Sequence, residues 1–345
     1  MYFSGNGNIR VNKEVYLALF VDDGLLASKS QRVLDEVIKT LSSYFNITVG
    51  NAKVFAGLQI ERDRSSRTMF LHQQAYTRRI IEKFGMCNAK TVGVPFDPHL
   101  ELRNAEEEES NQENIPYREA VGSLMFLTIV SRPDLAYAVN EVSRYLNKHT
   151  HSHWQAVKRI IRYLIGTSDL GIVYRSGGSE TELVGYSDAN YAKDVNTRRS
   201  TTGYAFFLAN GIVTWSSQLQ KHVTLSTTES EYVAAAAAAK EAMWLRKLIS
   251  NIKGTSLGTT TLYVDNQSAI KLAKNLEFHI RSKHIDVRYH YLRERVSEGD
   301  IHVEYVPTEL QRADVFTKPL PKDRFKLLCS MLGLENLEAL KRREC

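Results

Sequence analysis

The sequence predicts an α/β protein in which a mixed sheet is flanked by helices, and three observations carry that reading. Between residues 183 and 306, short apolar runs alternate with stretches of helical period, the pattern of strands and the helices that cover them. Asn210-Gly211 joins two of those runs and is a strong hairpin signal. Residues 225–240, L-S-T-T-E-S-E-Y-V-A-A-A-A-A-A-K, open with a capping box on Ser226 and Glu229 and continue as alanines. That favours a long helix, slim enough to lie close on a sheet.

A chain of 345 residues is long enough for two domains with large buried cores. Its hydrophobic share of 43% and charged share of 24% are those of an ordinary globular protein. No apolar run is long enough to span a bilayer, and no secretory signal opens the chain. Three scattered cysteines, Cys87, Cys329 and Cys345, point to a reducing compartment rather than a disulfide or zinc framework. The net charge of +6 is modest. Basic clusters at Arg78-Arg79, Lys158-Arg159-Arg162, Arg198-Arg199 and Arg281-Lys283-Arg288 suit a phosphate backbone, with simple solvation as the alternative.

In chain order, residues 1–12 are polar. Residues 15–21 and 25–27 read as strands around Asp22-Asp23-Gly24, a tight hairpin with two carboxylates at its tip. Residues 31–45 have a helical period through Val33, Leu34, Val37, Ile38, Leu41 and Phe45. Residues 54–61 and 68–71 read as a hairpin, and 74–85 as a helix bearing Arg78 and Arg79. Residues 97–116, acidic and poor in apolar side chains, read as a flexible loop. Helices follow at 117–130, 134–147 and 154–164, with Pro133 restarting the second. Residues 166–178 read as a polar connector, with a domain boundary near Glu180. Strands are then expected at 183–189, 202–209, 212–216, 261–264 and 301–306, and helices at 227–252, 267–274, 283–296 and from Ala313 onward. The implied division is 1–96, a loop over 97–116, helices over 117–180, the sheet domain over 181–335 and a tail over 336–345.

Asp188 and Asp265 each end an apolar strand, where polar groups of such sheets gather in one crevice. Glu229 has a capping role. Glu231, two residues on, cannot share its face and is free for other work. Asp314, after the last strand, reaches toward the same crevice. Four carboxylates brought together repel one another and their pKa values climb. A pair of Mg²⁺ ions removes that penalty and can clamp both oxygens of a phosphodiester under attack. For each aspartate taken singly, a solvated turn or a helix cap is the plainer alternative.

The segment 184–320 resembles the ribonuclease H domain of copia-type retrotransposon Pol polyproteins. The matching motifs are Y-S-D-A-N (186–190), R-S-T-T-G-Y (199–204), S-T-T-E-S-E-Y (226–232), Y-V-D-N-Q-S-A-I (263–270), K-H-I-D-V-R-Y-H (283–290) and A-D-V-F-T-K (313–318). The upstream part is similar to the end of the same polyprotein's reverse transcriptase. There F-V-D-D (20–23) matches the palm motif and G-L-Q-I (57–60) the primer-grip hairpin, followed by Y-R-E-A-V-G-S-L-M-F-L (117–127), S-R-P-D-L-A-Y-A-V (131–139) and R-Y-L-I-G-T (162–167).

The resemblance implies a ribonuclease H-like sheet preceded by a partial palm and a helical, thumb-like region. It implies metal-dependent endonucleolytic cleavage of RNA in RNA–DNA hybrids, with Asp188, Glu231, Asp265 and Asp314 holding two Mg²⁺ ions, Mn²⁺ substituting. Asp22 and Asp23 become a partial polymerase site. Asn190, Arg199, Gln267 and Ser268, beside the ligands, are candidates for contact with the hybrid backbone. The implied partners are the hybrid duplex and the remainder of the polyprotein, with no membrane and no small-molecule cofactor. The implied location is intracellular, in cytoplasmic virus-like particles or the nucleus. The palm's third carboxylate has no counterpart here, so DNA polymerisation by this stretch alone is not expected. Val306-Pro307-Thr308-Glu309 stands where cellular ribonucleases H carry a histidine-bearing loop, so no histidine shuttle is assigned. The alternative is an inactive nucleic-acid-binding remnant. His149, His151 and His153 are a weak zinc candidate, lacking further ligands at set spacing, and Trp215 and Trp244 read as core.

Overall fold

A computed structural model describes residues 15–105, 115–176, 182–274 and 290–337. The expectations for residues 1–12, the run Glu106–Glu109, the boundary near Glu180 and the motif residues His284 and Asp286 lie outside them. The chain falls into two units, Met1–Ile60 and Glu61–Cys345. No helix of the described residues is long and apolar enough to cross a membrane.

In the first unit, β1 (Val15–Phe20) and β2 (Asp23–Ser28) form the expected hairpin, with Phe20 opposite Asp23. α1 (Gln31–Tyr44) lays its apolar residues on one half-buried stripe. The single strand expected over 54–61 is instead two, β3 (Val54–Phe55) and β4 (Leu58–Asp63). Ala56 and Gly57 both take left-handed backbone, φ +48° and +79°, and turn the chain so that Val54 pairs with Gln59. β4 carries the chain into the second unit.

There, β5 (Thr68–His72) is followed by α2 (Gln74–Lys83), α3 (Tyr117–Val130), a 3-10 turn at Pro133–Leu135, α4 (Ala136–Ser143) and α5 (His151–Ile165). Leu124, Leu127, Leu135, Ile160 and Ile161 are fully buried between these helices. α5 begins earlier than expected because Thr150 caps it. The Thr150 N–H donates to His153 Nδ1 at 2.9 Å, so His153 is a structural residue rather than a zinc ligand. The polar connector expected over 166–178 is corrected to a strand, β6 (Leu170–Arg175), paired antiparallel with β5. Its flanks are polar, but Ile172 and Val173 are buried, and strand pairing satisfies the backbone groups buried with them.

The remaining elements are β7 (Val184–Asn190), β8 (Thr201–Leu208), β9 (Gly211–Leu219), α6 (Thr227–Lys253), β10 (Thr260–Val264), α7 (Gln267–Lys274), α8 (His290–Ser297) and β11 (Ile301–Tyr305). They end with α9 (Lys322–Met331) and β12 (Leu334–Asn336), which pairs with β6. The helix expected from Ala313 is therefore a 3-10 segment, Arg312–Phe316, then α9. Pro319 and Pro321 separate the two, since proline cannot continue a helix.

The expected mixed α/β sheet is present, in the order β11-β10-β7-β8-β9. β7, β8 and β9 form an antiparallel meander, while β10 and β11 run parallel to β7. The hairpin turn lies one residue earlier than expected. Ala209 and Asn210 are its left-handed pair, and Gly211 already pairs with Leu208. A Cβ on Gly211 would stand 2.5 Å from the Tyr174 ring, so that glycine answers to packing. The alanines of α6 are buried against Phe206, Leu262 and Val264, as a slim helix allows. Trp244, expected in the core, is exposed on the outer side of α6, whereas Trp215 Nε1 donates to the Thr128 carbonyl at 2.7 Å.

Candidate metal centre

β7 is the middle strand, and its parallel neighbour β10 brings a second carboxylate level with its own. Tyr186 pairs with Tyr263. Two residues further on, Asp188 is therefore opposite Asp265 at the carboxyl ends of both strands. Asp314 arrives from the 3-10 segment Arg312–Phe316. One oxygen each from Asp188, Asp265 and Asp314 lie within 4.8 Å of one another, a group able to hold a metal ion.

Two residues seat that segment. Gln311, fully buried, donates to the Ser187 carbonyl at 2.9 Å and accepts the Ala313 N–H at 3.2 Å. Gly203, opposite Asp188 on β8, leaves room for it. A Cβ there would stand 2.6 Å from Thr317 Cγ2 and 2.8 Å from Phe316 Cβ. Gly203→Ala is expected to push the Asp314 segment off the sheet, costing about 1–3 kcal/mol as overpacking does. Equal urea midpoints for the two proteins would rule this out.

Glu231 comes from the first turns of α6. Ser226 Oγ accepts the Glu229 N–H at 3.1 Å, and the Glu229 carboxylate accepts the Leu225 N–H at 2.7 Å, so Glu229 holds the helix start as its spacing requires. Glu231 is buried on another face and accepts a backbone hydrogen bond from Ala189 on β7. Its Oε2 is buried with no hydrogen-bond partner.

Burial pushes the Asp188 carboxyl up to about 7; Asp314 and Asp265 add to the rise while Lys318 and Thr317 oppose it. Burial, then the charges of Asp188 and Asp265, drive Glu231 well above the usual carboxylate range. Asp265 is raised by burial and by Asp314, against a hydrogen bond from Thr308 Oγ1 at 3.1 Å. Such a set, with Glu231 Oε2 buried and unsatisfied, fits a hard divalent cation, which prefers carboxylate oxygen.

Cations of the chain already stand beside it. Lys318 Nζ is 2.8 Å from Asp314 Oδ1 and 3.7 Å from Asp188 Oδ2, and Arg324 is 2.7 Å from Asp314 Oδ2. Thr317 Oγ1 donates to Asp188 Oδ2. Sequence reasoning passed over these four partners, Thr308, Thr317, Lys318 and Arg324. The i,i+4 spacing of Asp314 and Lys318 was the available signal.

The other candidates are placed as follows. Asn190 Nδ2 donates to the Thr317 carbonyl at 3.2 Å, which ties β7 to the segment behind Asp314. Arg199 is half-buried, and its carbonyl accepts the Asp194 N–H. Gln267 and Ser268 are exposed on the first turn of α7, directly after Asp265. Asp22 and Asp23 are exposed at the β1–β2 turn, and Asp23 accepts the Ala56 N–H at 3.2 Å. No third metal-ligating side chain gathers beside them among the described residues. Of the basic clusters, Arg162 donates to the Lys90 carbonyl and Arg159 pairs with Asp97.

A family model described as reverse transcriptase (RNA-dependent DNA polymerase) matches residues 1–98. The Pol polyprotein of transposon TNT 1-94 of Nicotiana tabacum is 41% identical over 94% of this chain, which covers 25% of that polyprotein. The chain thus spans about a quarter of the length of such curated relatives. A putative Ty5-1 transposon protein of Saccharomyces cerevisiae is 31% identical over 64% of this chain and 71% of its own length. Among solved structures, the N-terminal RNase H domain of rv2228c from Mycobacterium tuberculosis is similar over 44% of this chain and 97% of that one, at 16% identity and a TM-score of 0.30. By its sequence relatives, including the Ty5-1 transposon protein that it covers to 71%, the chain belongs to the retrotransposon Pol family.

Proposed function

We propose that residues 181–335 cleave the RNA strand of RNA–DNA hybrids in a metal-dependent, endonucleolytic reaction, as the ribonuclease H part of a Pol polyprotein. The observation that carries this reading is the group Asp188, Asp265 and Asp314 at one sheet edge, with the buried, unpartnered Oε2 of Glu231 beside it. These four side chains would hold two Mg²⁺ ions, or Mn²⁺. When bound, the metal would polarise the scissile phosphate and acidify the attacking water. The exposed first turn of α7, with Gln267 and Ser268, faces solvent next to Asp265 and would contact hybrid backbone. An A-like duplex is read there through phosphates and 2′-hydroxyls with little sequence preference. Asn190 would act as a strut and Arg199 as a lesser contact. The helices over 117–180 would form the thumb-like link to the palm region, whose Asp22 and Asp23 would be part of a polymerase site completed elsewhere in the polyprotein.

The test is cleavage of a labelled RNA–DNA hybrid by the purified chain in Mg²⁺, with double-stranded DNA as the control. Glu231→Gln is expected to abolish cutting, and unchanged cutting by that variant would defeat the assignment. A second reading, a nucleic-acid-binding remnant, is favoured by the cations already paired with Asp314. Steeply salt-dependent duplex binding without cleavage in Mg²⁺ or Mn²⁺ would establish it.

A further inference from the structure

Two cations of the chain stand directly against the carboxylate group. Lys318 and Arg324 bring two positive charges against the Asp188–Asp314 side of the group. Both oxygens of Asp314 are taken, Oδ1 by Lys318 and Oδ2 by Arg324. A metal ion that uses Asp314 must therefore displace a cation of the chain. The two cations are not equally movable. Arg324 is anchored at a second point, donating to the Thr308 carbonyl. Among the described residues Lys318 forms ion pairs with Asp188 and Asp314, and its side chain is 31% exposed, with a flexible stem leading to solvent.

Resting on the nuclease reading above, we infer that Lys318 is a built-in competitor for one of the two metal positions. It occupies the Asp188–Asp314 side while nucleic acid is absent and withdraws when a second divalent ion arrives with the substrate phosphate. In this arrangement the free protein holds one ion and keeps its aspartates from repelling one another, and full loading waits for the negative charge of the duplex. Lys318 is a positioning residue here, since it acts through the ligands of the metal.

Calorimetric titration of the full chain with Mg²⁺, without nucleic acid, tests this. The wild type is expected to take up one ion. Lys318→Met is expected to take up a second ion or to bind the first about tenfold more tightly, within the usual range of coupling between sites. In EDTA the same variant should melt at a lower temperature than the wild type, and Mg²⁺ should restore it. Should Lys318→Met fail to fold, Lys318→Gln and the wild-type stoichiometry still decide. Two ions bound by the free wild type, or identical isotherms for wild type and variant, would overturn the inference and leave the nuclease reading standing. A wild type that binds no Mg²⁺ with or without hybrid would overturn both.

Discussion

Asp188→Asn is expected to lower hybrid cleavage about a thousandfold or more, roughly 4 kcal/mol of barrier, and to make the metal-free protein more stable. The two effects share one cause. Asp188 is 2% exposed, at the meeting point of β7, β10 and the Asp314 segment, and burial raises its carboxyl from 3.8 to about 7. The unfolded chain gives up this proton near 3.8, whereas the folded chain keeps it until about 7. Between those values the folded state binds more protons, so stability is full below the window and is lost as pH rises through it. At about 1.4 kcal/mol per pKa unit, neutralising the position should add on the order of 2–4 kcal/mol at alkaline pH.

Urea titrations in EDTA at about pH 6.5 and pH 8.5 would read this as a smaller loss of stability for Asp188→Asn than for the wild type. Staying above pH 6.5 avoids His153. Burial holds that imidazole down at about 4, so its contribution runs the other way, being lost as pH falls from about 6.5 toward 4. A variant that is less stable than the wild type at pH 8.5 in EDTA would contradict the account of a charge tolerated for the sake of the metal.

The second large effect lies away from the metal centre. Arg132→Met should destabilise the protein by about 3–5 kcal/mol, as breaking one side of a buried ion pair does. Arg132 is 1% exposed and holds Asp134 with a two-pronged contact at 2.9 and 2.7 Å. It also donates to the Thr167 carbonyl and hydroxyl at 2.8 Å each, while Tyr163 donates to the same Asp134. The variant leaves Asp134 buried without its cation and frees the end of α5 from the turn before α4. Arg132→Lys should recover little, because an ammonium cannot reproduce the fork. An unfolding midpoint within error of the wild type would show that the network contributes nothing net.

Much of this architecture was legible because it rests on local chemistry. The capping pair Ser226–Glu229, the alanine helix behind it and the apolar runs of β7 and β10 are short-range patterns. Their expected bounds lie within a residue or two of those observed. Glu231 was separable from Glu229 by helix geometry alone. The failures came where local pattern is weak or where a neighbour overrides it. β6 is a strand with β5 and β12 on its two edges, and its one local signal, Ile172-Val173-Tyr174, is short and set between polar, glycine-bearing flanks. Asn210-Gly211 signals a turn, yet Tyr174 claims the glycine for packing and moves the turn back one residue. The Ser131–Asp134 stretch reads as a helix break, but it also carries a buried ion pair held by Tyr163 of α5 and by Thr167 just beyond that helix.

By itself, then, the sequence determined the class of the sheet, the family, and four carboxylates at strand ends and a helix start. Periodicity, caps and turn residues act over a few positions, and a linear string displays such positions openly. Only the tertiary structure decided that Asp188 lies opposite Asp265, that Gly203 and Gln311 seat the Asp314 segment, and that Lys318 and Arg324 pair with carboxylates of the group. Most of those relations join residues distant in the chain, Gln311 and Ser187 by 124 positions. They depend on strand register, on atomic clearance and on burial, which lowers the local dielectric enough to make charge pairing govern the site.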